Sequence, residues 1–275
     1  MIRGGARVAT IVAVALLLVL LGLPLVSLLV RVPSGSLLKR LGDPEIQEAL
    51  RLSLATSLLS TAIVILIGTP VAYLLATRAF RAKGLVETVI DLPMVLPPTV
   101  AGLALLLAFG RAGLAGHALS ALGISLPFST AAVVVAQVFM SLPFLVNAAR
   151  AGFARVPSSL LDAAATLRAS ESYTFFRVIL PLSVPALVAG ASMACARALG
   201  EFGATITFAG NLPGVTQTMP LAVYVAFQSD LEASIALSVI LMALSFLLLF
   251  GLRATSTAPG VRRPPASRLV STATR

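Results

Sequence analysis

Long apolar runs, nearly free of charge, constrain this chain more than any other feature of its sequence. A helix needs about 20 residues to cross the ~30 Å hydrocarbon core of a bilayer. Six stretches meet that length: residues 8–30, 52–76, a proline-broken stretch within 85–110, then 130–149, 180–208 and 233–252. Their apolar residues come in blocks, not at the spacing of a surface helix or strand, so lipid is the solvent for most of the chain. Charged residues make up only 11% of the 275 positions, where a soluble domain has about 25%. The mean hydropathy is +1.02. Together these features predict an all-α fold, a polytopic transmembrane helix bundle of about six spans.

The formal charge of +10 could attract nucleic acid, but most of it lies at span ends and in the C-terminal tail. Membrane orientation is the simpler cause, and no nucleic-acid partner is expected. With the N-terminus inside, inner segments carry Arg3, Arg7, Arg78, Arg81, Lys83, Arg150, Arg155, Arg168, Arg177, Arg253, Arg262, Arg263, Arg268 and Arg275. Outer segments carry only Arg31, Lys39, Arg40, Arg51 and Arg111, and residues 209–230 hold no Lys or Arg. Both termini are therefore expected in the cytoplasm, which requires an even number of spans. The first run follows Arg3 and Arg7 as a signal peptide would. It is longer than the ~7–15 apolar residues of a signal core and lacks a small-x-small cleavage site, so a retained anchor is expected. Residues 255–275 are rich in Pro, Ser, Thr and Arg. They read as a disordered tail, solvated or touching anionic lipid heads. This divides the chain into an anchor with its outer loop (1–42), a core (43–254) and a tail (255–275).

A single cysteine, Cys195, and a single histidine, His117, leave nothing for a disulfide framework or a Cys/His metal cluster. No catalytic residue and no metal site is expected. Three places nonetheless break the pattern of a uniformly apolar, lipid-facing helix. The first holds Pro93, Pro97 and Pro98, three prolines in six residues, followed by Thr99. Proline removes a backbone donor and clashes with the preceding turn, so the third span must bend or break. Pro97 suits a helix start, which would leave the Thr99 and Val100 amides free for an anion; a purely structural kink is the other reading. The second is Arg197 and Glu201 in the fifth span, with Thr205 continuing their stripe. Ionisable groups within a membrane are costly and face the bundle interior. The pair either locks the bundle as a salt bridge or serves a pathway or gate. Beside it, Gly190, Ala194 and Ala198 form a small-residue stripe that permits close helix contact.

The third place is the inner loop 150–179. Pro157, followed by Ser158 and Ser159, can open a short helix, and Leu160, Leu161, Ala164 and Leu167 with later aromatics give it an apolar face. Such a helix either lies in the lipid interface or docks on a soluble partner. An interfacial helix calls for Lys or Arg along its polar face; this one is short and alanine-rich, which favours a protein partner.

Within that loop, Asp162-Ala163-Ala164, then Arg168, Val178 and Leu180-Pro181, resemble the E-A-A-x3-G-x9-I-x-L-P loop of ABC importer permeases. The resemblance extends to 44–53, to 92–98, and most tellingly to the stretch Leu199-Gly-Glu-Phe-Gly-Ala-Thr-Ile-Thr-Phe208 with Gly210-Asn-Leu-Pro-Gly214 and Thr218-Met-Pro-Leu221. These look like the molybdate/tungstate permeases, with sulfate/thiosulfate permeases close behind. The first span lies outside the match. The resemblance implies a type I ABC importer permease fold, in which two copies of the chain form the channel and a pair of cytoplasmic ATPase subunits drives it. The ATPases would dock on Asp162, Ala163, Ala164, Thr166, Leu167, Arg168, Ala169 and Ser170, and an extracytoplasmic binding protein would deliver a tetrahedral oxyanion. ATP and Mg would sit on the ATPase, with no cofactor in this chain, which lacks a G-x4-G-K-[ST] motif. Arg168 replaces the family's glycine. A left-handed turn there would cost Arg about 1 kcal/mol or more, so either Ala169-Ser170 absorbs the turn or Arg168 pairs with an acid on the ATPase.

Chemistry agrees with weak anion handling. Thr99, Thr205 and Thr207 offer hydroxyls, and the helix start at Pro97 and Pro98 offers free amides, which together pass an oxyanion without holding it tightly. Glu201 facing an open pore would repel anions, so it is expected to pair with Arg197 or lie behind the gate. Two other classes remain on the sequence alone. An ion-coupled secondary transporter would carry repeated halves and midplane ion sites, and a membrane enzyme would need a nucleophile–base or metal set.

Overall fold

A computed structural model describes residues 2–33 and 35–256. Five long apolar helices dominate it: α1 (Ile2–Val30), α3 (Pro44–Thr77), α7 (Thr130–Ala154), the continuous helix ending in α10 (Leu180–Leu199), and α13 (Leu231–Ser256). Shorter elements link them: α2 (Ser36–Leu41), α4 (Lys83–Val95), α5 (Pro98–Phe109), α6 (Gly116–Ala121), α8 (Ser158–Thr166), α9 (Glu171–Thr174), α11 (Gly203–Phe208) and α12 (Met219–Ser229). Local chemistry fixes several starts. Asp43, Ser129, Ser170 and Asp230 each accept a backbone N–H from the first turn of α3, α7, α9 and α13.

The centre of the bundle is α3 against α7 against α10. Small residues set the spacing. A Cβ on Gly190 of α10 would lie 2.8 Å from Ala148 Cβ, so α7 and α10 meet at near backbone distance, as the stripe predicted. Gly190, Ala194 and Ala198 are all buried. Between α3 and α7 the contact is polar. Ser60 donates to Gln137 Oε1 (2.9 Å), and Gln137 Nε2 donates to Thr56 (3.1 Å). Pairing spares these buried polar groups the cost of an unmet hydrogen bond away from water. α1 is almost wholly exposed, with Leu and Val around its circumference, and it touches only α13 closely.

The third stretch is not one straight span. α4 and α5 are bent by 118° at Leu96-Pro97. Pro93 sits inside α4, so the break belongs to the second proline cluster. Pro97 caps α5 and Pro98 occupies its first turn, one residue later than the expected helix start. α4 lies beside the Arg150 end of α7, where Glu87 pairs with Arg150 and Asn147 donates to Asp91 (2.7 Å). α5 lies beside Ala132–Met140 near the other end of α7. The bent pair therefore carries the chain from one end of α7 to the other; five helices are long and apolar enough to cross a membrane, six spans with the bent pair taken as one.

The fifth span is displaced, not shortened: the continuous helix runs Glu171–Leu199. α10 stops at Leu199, not at 208, and Gly200-Glu201-Phe202 break the path before α11. Thr205 and Thr207 thus belong to a separate short helix. The second helix starts earlier than expected, at Pro44, because Asp43 and Pro44 supply a cap and a preset first turn. The segment 209–230 contains α12, whose 11 residues are too few to cross a bilayer. Before α10 the helix widens into a π turn at Phe175–Ile179, where the Leu180 amide reaches back to the Phe175 carbonyl. Pro181 cannot donate to the preceding turn, which explains the slack there. The expected tail lies outside the described residues beyond Ser256.

Candidate functional site

α8 opens after Pro157, as the loop chemistry predicted, and is built from residues of high helix propensity. Leu161 faces the bundle, packing on a cluster that includes Ala72, Leu75, Val146, Phe153 and Ile179. Beneath it Tyr73 meets Phe153 and Phe175 edge to face, with ring centroids 5.8 and 4.7 Å apart, and Phe153 and Phe175 are tilted at 6.1 Å. Arg78 at the end of α3 holds Glu171 through two hydrogen bonds of 2.9 and 3.1 Å. The helix is therefore seated on the ends of α3, α7 and α9 as one piece.

The predicted apolar face is divided. Leu161 and Ala164 turn inward, whereas Leu160 is 42% and Leu167 81% exposed. With Ala163, Ala169, Ser170, Tyr173 and Val178 they line an open groove of about 540 Å³. Asp162, Thr166 and Arg168 are exposed beside it.

α8 ends in a Schellman turn. The Arg168 N–H donates to the Ala165 carbonyl (2.9 Å) and the Ala169 N–H to the Ala164 carbonyl (3.0 Å). Such a turn needs a left-handed residue after the cap. Arg168 takes it, with φ 55°. Ala169-Ser170 do not absorb the turn; Ser170 is extended and caps α9 instead. The hydrogen-bond pattern at the helix end fixes which residue must be left-handed, and spacing alone could not.

The second group of candidates gathers where α5 meets α11. A Cβ on Gly102 would lie 2.7 Å from Thr207 Cβ, and one on Gly203 would lie 2.6 Å from Pro98 Cβ. Only glycine fits at these two points, so α5 and α11 are locked side by side. Pro97, Pro98 and Thr99 are exposed at the α5 start. The Ala101 N–H closes the first helical bond on the Pro97 carbonyl, which leaves the Thr99 and Val100 amides outside the ladder.

Arg197 and Glu201 pair at 2.5 Å. The Glu201 side chain is fully buried and the Arg197 side chain 25% exposed. The pair does not lie along one helix as expected. Arg197 is in the last turn of α10, and Glu201 sits in the break, where its Oε1 accepts the Ala204 N–H of α11 (2.8 Å). One carboxylate thus closes a helix end and neutralises a cation near another. Thr205 is fully buried, and its hydroxyl has no hydrogen-bond partner among the described residues. Thr207 donates back to the Gly203 carbonyl (2.9 Å). Of the hydroxyls expected to handle an anion, only Thr99 stands open.

Sequence reasoning missed two groups. Glu87 and Asp91 of α4 are tied to Arg150 and Asn147 of α7, so the half-span before the proline break moves with the helix that leads into α8. Their i, i+4 spacing was a readable signal. Ser53 of α3 accepts the Met219 N–H at the start of α12 (2.7 Å, fully buried); nothing local in the sequence points to it.

Residues 65–263 match the family described as binding-protein-dependent transport system inner membrane component. The chain is 44% identical over 237 residues to the molybdenum transport system permease of Mycobacterium tuberculosis, covering 86% of this chain and 90% of that one. It is 43% identical over 190 residues to the permease of the same name from Escherichia coli K12, covering 69% and 82%. The crystal structure of a bacterial ABC transporter involved in the import of alginate contains a chain that superimposes with TM-score 0.74 at 13% identity, covering 92% of this chain and 96% of that one. The inward-facing MetNI methionine ABC transporter gives 0.60 at 18%, covering 76% and 93%. At those identities the likeness concerns the fold alone. With most of its length matched by family and by relatives, the chain belongs to the binding-protein-dependent transport system inner membrane components, the membrane-spanning permease subunits of ABC transporters.

Proposed function

We propose that this chain is the channel-forming subunit of an ATP-driven importer that brings molybdate, or its congener tungstate, across the cytoplasmic membrane. The observation that carries this reading is the α8 groove, an apolar surface on a helix that two spans hold and that none of the described residues covers. The extent of similarity to molybdenum permeases supplies the cargo. The chain itself is not catalytic; ATP and Mg belong to the partner.

In this mechanism two copies stand side by side, with both termini of each in the cytoplasm, and an ATPase subunit docks on each α8. Residues 162–170 are the lever. Closing the ATPase pair on ATP pushes α8, and the push reaches α7 directly and α4 through the Glu87–Arg150 and Asp91–Asn147 contacts. Among the described residues α5 makes no such polar tie; it packs on the far end of α7 through apolar side chains and is locked to α11. The Leu96-Pro97 break thus lies between a half that follows the ATPase and a half that follows the gate. Thr99 and the free amides at the α5 start handle the anion that an extracytoplasmic binding protein delivers. Weak, neutral contacts suit release. Arg197 and Glu201 cancel each other's charge, so the buried carboxylate does not oppose anion passage.

The test is reconstitution with the cognate ATPase and binding protein in liposomes. Molybdate uptake that needs ATP inside and binding protein outside supports the reading. Uptake by the chain alone, driven by an ion gradient, overturns it, and preferential sulfate uptake overturns the cargo. Leu167→Asp probes docking better than a change at Ala164, because Leu167 is exposed whereas Ala164 is buried under the helix. The variant should fold and insert normally but lose ATPase binding and uptake.

A further inference from the structure

Arg168 is conformationally strained and electrostatically unsatisfied at once. Its φ of 55° is a conformation that costs an L-residue about 1–2 kcal/mol and glycine nothing. Besides Arg168, only Phe128 among the described non-glycine residues has a positive φ. The guanidinium is exposed and enters no ion pair among the described residues. The nearby Glu171 carboxylate is already held by Arg78. Arg155 and Arg177, on either side of the same loop, are likewise exposed and without an ion pair. The loop that carries the open groove of Leu160, Leu167 and Tyr173 thus holds three cations without an ion pair against one such anion, Asp162. Positive charge on the inner side would be served by a cation anywhere in the loop. It does not explain an arginine on the one residue that the Schellman turn forces into a left-handed conformation. Strain that persists at an exposed position points to a use there.

We propose that Arg168 is a specificity-determining residue for the ATPase partner, its guanidinium engaging a carboxylate on the docked ATPase subunit next to the apolar contact made by Leu160 and Leu167. This rests on the reading that an ATPase docks at α8, and it adds the chemistry of the partner's surface: an apolar projection flanked by acid. A planar, permanently charged fork suits a carboxylate in two-point contact better than lysine does. The permease gives up local stability at this turn, and the complex recovers it as a charge-assisted contact.

The experiment compares wild type with Arg168→Gly, Arg168→Lys and Arg168→Glu. It reads ATPase affinity by titration in detergent or nanodiscs at low and high salt, and thermal stability of the permease alone. Arg168→Gly removes the strain, so it folds at least as well as wild type. It should nevertheless bind the ATPase about ten-fold more weakly at low salt, with a smaller dependence on salt. Arg168→Lys should fall between the two, and Arg168→Glu should bind more weakly than Arg168→Gly. A wild-type complex that Arg168→Gly matches or betters overturns this proposal and leaves the transporter reading standing. So does a loss in Arg168→Gly that is the same at low and high salt. Failure of wild type to bind the ATPase at all overturns both.

Discussion

Removing Arg197 should cost far more than neutralising Glu201, although both changes break the same ion pair. Arg197→Ala leaves a carboxylate fully buried with a single remaining contact, the Ala204 N–H at 2.8 Å. Breaking a buried pair by removing one partner typically costs 3–5 kcal/mol. The retained amide hydrogen bond offsets part of that, and the lost arginine was a quarter exposed, so about 2–3 kcal/mol is expected. Glu201→Gln is different. Its amide oxygen can still accept the Ala204 N–H, and the stranded Arg197 can hydrate through its exposed part. About 1 kcal/mol is expected. Thermal unfolding of the purified protein reads the difference: about 5–10 °C lost for Arg197→Ala and about 2–4 °C for Glu201→Gln. The double variant should sit near Glu201→Gln, because the charge that made the first change costly is gone. Equal losses in the two single variants, or simple additivity in the double, would refute the picture of a buried anion held by a half-exposed cation.

Ser53→Ala should lower stability by about 1–3 kcal/mol, because the Met219 N–H loses its buried acceptor; equal unfolding temperatures for variant and wild type would show that α12 does not depend on it. Thr205→Val should be neutral or stabilising in unfolding and leave uptake intact, since the hydroxyl is buried without a partner; a collapse of uptake with normal folding would instead make Thr205 part of the pathway. The Asp230 carboxyl is held below its ordinary value of 3.8, first by the Ala233 amide; desolvation opposes this, and Arg40 adds a lesser lowering. A lowered folded value means that its stabilisation is complete above the unfolded value of about 4 and is lost as pH falls through the lowered one. Wild type should therefore lose more stability than Asp230→Asn on acidification below about pH 4; parallel declines in the two unfolding curves would refute this.

Much of the fold is written in composition. Each straight span was visible as a run too long and too apolar for any solvent but lipid. Pro157, the small-residue stripe of α10 and the proline break of the third span were readable because each acts through the chain's own covalent geometry or through helical period. Boundaries failed where a break has no proline to announce it. Gly200-Glu201-Phe202 reads as continuing helix until Glu201 is seen satisfying both Arg197 and an α11 amide. α12 escaped because it is short and its first amide is capped from α3, 166 residues away.

The chain's own order of residues settled that it lives in a membrane, roughly how often it crosses, and where a short helix lies between two passes. Those properties follow from local hydrophobicity, covalent geometry and helical spacing, which act within a few turns. Tertiary structure decided which of the loop's leucines stay open, that Arg168 and not its neighbours takes the left-handed turn, and that the half-spans on either side of Pro97 rest on opposite ends of α7, the second also locked to α11. These depend on what each residue meets from a distant part of the chain, and a one-dimensional pattern does not encode that meeting.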